Sequence, residues 1–394
     1  MKKFILIPFL ALFSFAASAQ YYQDSNNPDI LKHDIHPSTP PRVEFVLPQV
    51  NGYTLFKSDL HVHTMFSDGT VTPEHRVQEA WFDGLDVIAI TDHIEHRPYE
   101  EKLLEFVKPY TKKGTKPVNN IVVRKDATKE GFFVDLNVPV ALAQKEAEKY
   151  GIVIIPGTEI TREPKVIGHY NALFVTDSNA IYDTDPFKAI QNAKAQGAIV
   201  MHNHPGWTRP NMDILEFEQK VYDAGLIDGI EIMNGGEFYP KAIDRALKYN
   251  FYMSSNTDLH PSSAESYRAQ GNRRPMTFIL AKDSSLESLR EALEAKRTIA
   301  YSFGSVAGPE ALLKALFDAS VQVKYVSTDS KGRSTVTLTN NTSLNFLLRT
   351  EGYNKTILKP FTTVRLTFKA GDNLCIVENF WVSSEERMVV NIKW

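Results

Sequence analysis

The stretch Leu85-Asp86-Val87-Ile88-Ala89-Ile90-Thr91-Asp92-His93 decides how the chain is read. A short, mostly apolar run of this kind predicts a buried strand, and here it delivers an acid and an imidazole at its far end. The same grammar recurs on both sides of it. Further strands are predicted at Gly151–Ile155, Ile167–Val175, Ala198–Met201, Asp228–Met233, Phe251–Ser255 and Met276–Leu280. Helical periods are predicted between them at Pro73–Phe82, Val138–Tyr150, Pro186–Gln196 and Ser285–Ala295. The last has Leu286, Leu289 and Leu293 on one stripe behind a Ser284-x-x-Glu287 capping box. Strands alternating with helices from Gly52 to about Phe303 imply a parallel α/β sheet, open or closed into a barrel.

Composition agrees and removes several classes. At 43% hydrophobic and 23% charged, the chain is no disordered tail, collagen-like fibre or disulfide miniprotein. Its 394 residues predict two or three domains, at roughly 150 residues each. A net charge of -3 argues against nucleic acid as a partner, because binding by counterion release wants a strongly basic face. The single Cys375 forms neither an internal disulfide nor a CxxC pair, and reads as a buried thiol.

The chain begins with an address. Met1-Lys2-Lys3 is a positive start, Phe4 to Phe15 is apolar, and Ala17-Ser18-Ala19 fits a cleavage site, so residues 1–19 read as a secretory signal peptide. The apolar run is shorter than the roughly 20 residues of a membrane span. No cysteine follows the cleavage site to carry a lipid, so no membrane anchor is expected after signal removal. The expected location is periplasmic or secreted.

Residues 20–50 are polar and proline-bearing and read as an extended leader, and residues 51–318 hold the α/β region. Residues 319–394 change character: Val336-Leu338, Val364-Leu366-Phe368 and Met388-Val390-Ile392-Trp394 alternate at period two, which predicts a small antiparallel, sandwich-like β domain. Trp381 and Trp394 there suit core packing or a sugar platform. Residues 111–137, rich in lysine, read as an insertion loop.

Eight of the eleven histidines fall in five short clusters inside the α/β region. These are Asp59-Leu60-His61-Val62-His63-Thr64, Asp92-His93-Ile94-Glu95-His96, His169, His202-Asn203-His204-Pro205 and Asp258-Leu259-His260. Most stand at or just beyond a strand end, where α/β enzymes build their sites. Side chains at i and i+2 of a strand share a face, so His61 and His63 point one way. Imidazoles mixed with carboxylates suit zinc, manganese or iron better than magnesium or calcium. Asp68 in Ser67-Asp68-Gly69 and Glu159 in Gly157-Thr158-Glu159 supply further carboxylates, and the donors are too many for one ion.

These residues resemble the ordered motifs of the PHP (polymerase and histidinol phosphatase) superfamily, over about residues 54 to 262. The signal peptide and trailing β domain make the whole similar to exported bacterial phosphodiesterases that act on organophosphate diesters. The resemblance implies a distorted (β/α)7 barrel with a three-metal cleft at the strand ends. It assigns one ion to His61, His63, Glu159 and Asp258, a second to Glu159, His169 and His204, and a third to Asp68, His93 and His260.

Neighbouring residues keep more than one reading. His202 fits a partner to a ligand, a proton donor or a structural residue, and His96 faces cleft or solvent. Asp59 and Asp92 either orient imidazoles or cap the strand-loop junctions. Arg162 suits a bidentate grip on phosphate, with Arg209 its rival. His33, His36 and His75 read as surface residues.

Two or three divalent ions (Zn, Mn or Fe) held this way suit hydrolysis, with a bridging hydroxide aimed at phosphorus. No Ser or Cys nucleophile with a base stands out, and there is no Walker loop. The reading is an exported metal-dependent phosphoesterase with diesters preferred, acting on a small phosphate ester. The alternatives are a phosphomonoesterase of the histidinol-phosphatase type and a secreted metal-containing ligand-binding protein.

Overall fold

The computed structural model describes residues 21–23, 26–33, 42–100, 111–117, 128–161, 167–350 and 355–394. The signal-peptide stretch, His36 and Arg162 lie outside the described residues. The chain divides into two compact units, residues 1–41 and 42–394. In the first, Tyr21–Gln23 pairs antiparallel with Leu31–His33.

The second unit opens with Arg42, whose guanidinium donates to Leu85 O and Asp86 Oδ1, both at 2.7 Å. Phe45 and Val50, in the stretch expected to drape over the surface, are buried. Seven strands then carry the site: β1 (Thr54–Val62), β2 (Val87–Ile90), β3 (Val153–Thr161), β4 (His169–Leu173), β5 (Ile199–His202), β6 (Gly229–Asn234) and β7 (Tyr252–Asn256). Each pairs with the next, in parallel at β1–β2, β2–β3, β5–β6 and β6–β7. β7 comes back beside β1, where Leu60 N donates to Asn256 Oδ1 at 2.9 Å and Val62 bridges Leu259.

The sheet is mixed rather than parallel throughout. β4 runs antiparallel to both β3 and β5. The link from Thr161 to His169 is too short for a parallel crossover, which needs roughly a dozen residues. Every residue of β2, β4, β5 and β7 is buried, so the sheet is covered on both faces there.

Among the described residues, five helices of eight or more residues flank these strands: α1 (Pro73–Phe82), α2 (Val138–Ala147), α3 (Pro186–Ala195), α4 (Glu216–Asp223) and α5 (Pro240–Tyr249). α1 starts where Thr72 accepts from His75 N and Pro73 takes the first turn. β8 (Met276–Ala281), α6 (Leu286–Glu294), β9 (Thr298–Ser302) and β10 (Ser305–Ala307) extend the sheet from the other side of β1, each strand antiparallel to the last. The cap of α6 sits one residue later than expected: Ser285 Oγ accepts from Ser288 N at 3.2 Å, and Asp283 Oδ1 holds Ser285 there.

α7 (Glu310–Ser320) leads into β11 (Val321–Thr328), β12 (Ser334–Asn340), β13 (Phe346–Arg349), β14 (Lys355–Leu358), β15 (Thr363–Phe368), β16 (Leu374–Trp381) and β17 (Arg387–Asn391). β11, β12 and β15 form an antiparallel three-stranded sheet. The other four join the large sheet, because β16 pairs in parallel with β10. Val336, Leu338 and Phe368 of the small sheet share one core with Phe346, Cys375 and Val390. Burial pushes the Cys375 thiol up to about 12. Trp394 stacks on Phe368 and Trp381 meets Phe238 edge-on.

Part of the expected insertion loop has regular structure: Thr111–Pro117 pairs antiparallel with Thr128–Val134. The β-branched and aromatic residues Thr128, Phe132, Phe133 and Val134 favour strand over coil there. Among the described residues, no helix is long and apolar enough to cross a membrane.

Candidate metal centre

His61 near the end of β1 and His63 just past it are both wholly buried, with their Nε2 atoms 3.1 Å apart. Two imidazole lone pairs held this close need a proton or a cation between them. Asp258, just past β7, brings Oδ1 to 2.9 Å from His63 Nε2 and 3.2 Å from His61 Nε2. Glu159, on β3, stands across from them. Its Oε2 is 3.4 Å from His63 Nε2, 3.5 Å from His61 Nε2 and 2.8 Å from His93 Nδ1. Its Oε1 lies 3.4 Å from His169 Nδ1 and 3.9 Å from His204 Nε2. On the other side of His63, Asp68 reaches His260 Nε2 at 3.1 Å and His93 Nε2 at 3.4 Å.

The donors fall into three overlapping groupings: His61, His63 and Asp258; His61, Glu159 and His204; and His63, Asp68, His93 and His260. His61 and His63 each belong to two of them. His169 stands beside Glu159 without joining a grouping. Asp68 Oδ1, Glu159 Oε2 and His169 Nε2 are buried with no hydrogen-bond partner. Leaving such atoms unanswered destabilises the fold by about 1–3 kcal/mol each, more for a charge. Nitrogen and oxygen donors with orphaned lone pairs fit divalent cations.

The backbone is bent to present them. Asp258 (φ 52) and His204 (φ 24) both occupy left-handed conformations that non-glycine residues avoid. Gly69 is demanded by close approach, since a Cβ there would lie 2.6 Å from His63 O.

Charge coupling in the centre is strong. Burial opposes imidazolium at His61, but Asp258, Glu231 and Glu159 prevail and raise it well above the ordinary range. His93 and His260 are raised against burial by the same kind of carboxylate contact. His63 goes the other way, down to about 3, through burial and its neighbours His93 and His260. Glu159 and Asp258 stay well below the usual carboxylate range despite burial, because imidazoles surround them.

One supporting residue was not foreseen. Glu231, buried in β6, pairs with His61 Nδ1 at 3.0 Å and accepts from His204 N, Asn234 Nδ2 and Asn256 Nδ2 at 2.7, 2.8 and 2.9 Å. The signal was one acid inside the apolar run Gly229-Ile230-Glu231-Ile232-Met233. Asn203 likewise donates to Glu159 Oε1 at 2.8 Å.

Asp59 and Asp92 serve the strand-loop junctions. Asp59 pairs with Arg274 at 2.5 Å and accepts from Thr257 N. Asp92 accepts from Thr64 N, Thr64 Oγ1 and Ser67 Oγ at 2.7, 2.7 and 2.6 Å. His96 stands half-exposed at the lip, 3.7 Å from Asp68 Oδ2. His202 lies behind the centre, wholly buried, 2.6 Å from Tyr222 OH and 3.3 Å from Glu218. Arg209 pairs with the same Glu218 at 2.5 Å. His75 is exposed on α1.

The groupings open into one cleft of about 210 Å³, whose walls include His96, Thr161 and Trp207 beside the donors. An α/β chain with imidazole and carboxylate donors gathered this way at its strand ends is, by fold and site, a metal-binding α/β protein. The chain belongs to the PHP domain family, whose model matches residues 59–349.

A two-domain protein from Bacteroides vulgatus ATCC 8482, containing a predicted PHP-like metal-dependent phosphoesterase, is 34% identical. The match covers 90% of this chain and 99% of that one, with a TM-score of 0.76. An amidohydrolase from Chromobacterium violaceum is 15% identical over 52% of this chain and 87% of that one, at a TM-score of 0.37. A lesion-specific endonuclease from Pyrococcus furiosus is 16% identical over 65% of this chain and 59% of that one, at 0.39. No match was found among curated proteins.

Proposed function

We propose that the chain is an exported metal-dependent phosphoesterase that hydrolyses small phosphodiesters at a trinuclear centre. The carrying observation is that three donor groupings, linked to one another through His61 and His63, gather at a single cleft. Family membership and the 34%-identical neighbour support the reaction class. Strands β1 to β7 are read as the family's distorted sevenfold barrel. The N-terminal sequence pattern supports export to the periplasm or beyond.

His61, His63 and Asp258 would hold one ion, Glu159 and His204 a second with His61, and Asp68, His93 and His260 a third with His63. Zinc, manganese or iron bound there supplies Lewis acidity and an activated water for attack at phosphorus. The protein's own work is orientation. Glu231 fixes the ring of His61 through Nδ1, and Asn203 turns the carboxylate of Glu159. His96 Nε2, at the open lip, is placed to exchange a proton with a departing group. The diester preference follows the architecture, an N-terminal export pattern and trailing β strands similar to those of exported phosphodiesterases.

The test is hydrolysis of matched chromogenic phosphate mono- and diesters by the metal-loaded chain, beside Asp258→Asn. Diester turnover that falls at least about a hundredfold in the variant is the expected result. Turnover confined to the monoester would move the reading to a phosphomonoesterase, and no turnover by metal-loaded protein would overturn it.

A further inference from the structure

Arg76, on α1, is 1% exposed, although an arginine is almost never fully buried unless it is paired. Its guanidinium donates from Nε to His63 O at 2.6 Å, and from Nη1 to Pro261 O at 2.8 Å and Glu79 Oε1 at 2.5 Å. Nη2 donates to Leu259 O at 2.8 Å and His260 O at 2.7 Å. A guanidinium offers five N–H groups in a rigid fork, so this one is fully used.

The four carbonyls belong to two segments, His63 just past β1 and Leu259 to Pro261 beyond β7. His63 N also donates to Leu259 O at 3.0 Å and Thr70 N to His260 O at 2.9 Å, which ties in the loop bearing Asp68. Glu79 holds the far side of the clamp, its Oε2 accepting from Ser263 N at 2.8 Å. The rings of His63 and His260 stack at 4.5 Å between centroids, and Asp68 lies 3.1 Å from His260 Nε2. The other donors are held from elsewhere. Asp258 N donates to His61 O at 2.9 Å, and Glu159 and His204 N meet Asn203 and Glu231.

We infer that Arg76 is a positioning residue for one ion of the centre, the one at His63, Asp68, His93 and His260. The inference rests on the trinuclear reading and adds that this position is supported separately from the other two. A planar fork can meet the carbonyls of two segments at once, whereas an ammonium is a single point. Arg76→Lys therefore keeps the charge facing Glu79 and loses the span.

The experiment is equilibrium dialysis of the full chain against graded Mn²⁺, counting bound metal, with circular dichroism to report folding. Wild type, Arg76→Lys, Asp68→Asn and the double variant are compared. In Arg76→Lys, affinity at one position should fall about 10- to 100-fold, as for other outer partners of ligands. The remaining positions should hold within about twofold, and the double variant should bind like Asp68→Asn alone. Should Arg76→Lys fail to fold, Glu79→Gln replaces it, keeping the guanidinium but loosening its anchor, and should weaken the same position.

Wild-type binding by the Arg76 or Glu79 variant would overturn the positioning role. Equal weakening at every position, or a further loss when Arg76→Lys is added to Asp68→Asn, would overturn it too, since Arg76 would then only prop the fold. An Asp68→Asn chain that keeps every ion would remove the position and this inference while leaving metal dependence in place. Binding of no Mn²⁺ by wild type would overturn the metal-centre reading and this inference with it.

Discussion

Glu231 shows how much of this centre depends on residues that never meet the cleft. Four groups converge on its carboxylate, among them the ring of His61 and the backbone amide of His204. Glu231→Gln keeps the shape but puts an amide where one of those donors points. The expected result is a folded chain whose metal affinity falls about 10- to 100-fold, as for other outer partners of metal ligands. Metal content after dialysis against a weak chelator, beside circular dichroism, checks this; wild-type retention would remove Glu231 from the centre's support. The histidine clusters were legible because i, i+2 spacing at a strand end leaves few other uses for paired imidazoles. Glu231 was not legible, because a lone acid in an apolar strand acquires a partner only when β6 is laid beside β7 and β1.

Legibility among the elements followed local chemistry. α1 and α3 were legible as helical periods, and in the structure Thr72 before Pro73 and Asp185 before Pro186 cap them. α4, α5 and α7 escaped, and Leu215, Tyr239 and Pro309 at their starts offer no side-chain cap. β4 was found, but its reversed direction follows from loop length rather than from its own residues. One ionic staple joins elements across this region: Arg274, before β8, pairs with Asp59 on β1 and with Asp83 at the end of α1, all buried. Arg274→Ala leaves Asp59 buried without its cation, and about 3–5 kcal/mol of stability should go with it. Arg274→Lys should recover only part, because one ammonium cannot serve both acids as the guanidinium fork does. Urea denaturation of the three proteins measures this, and a loss under about 1 kcal/mol for the alanine variant would show that Asp59 is relieved in another way.

The centre also sets how the whole molecule answers to pH and metal. His61, His93 and His260 have folded values raised above 6.5 by neighbouring carboxylates. A raised group contributes stability that is fully present below its unfolded value and is lost as pH rises through the folded one. Chelator-treated protein should therefore melt at lower temperature as pH climbs above about 6.5. Ligation needs neutral rings, so loading should release protons and flatten that decline. Melting scans across pH with and without ion, and calorimetry in buffers of different ionisation enthalpy, test both; a melting temperature that ignores pH without metal would refute the coupling. The parallel pairing of β10 with β16 governs the molecule's other border. A chain ending before β11 would leave Val306 and Ala307, both wholly buried now, on a raw strand edge with unpaired amides. Such an edge recruits other chains. The trailing strands therefore act as a hem on the sheet that carries the metal centre, and their loss would surface as precipitation before it could be read as a change in chemistry.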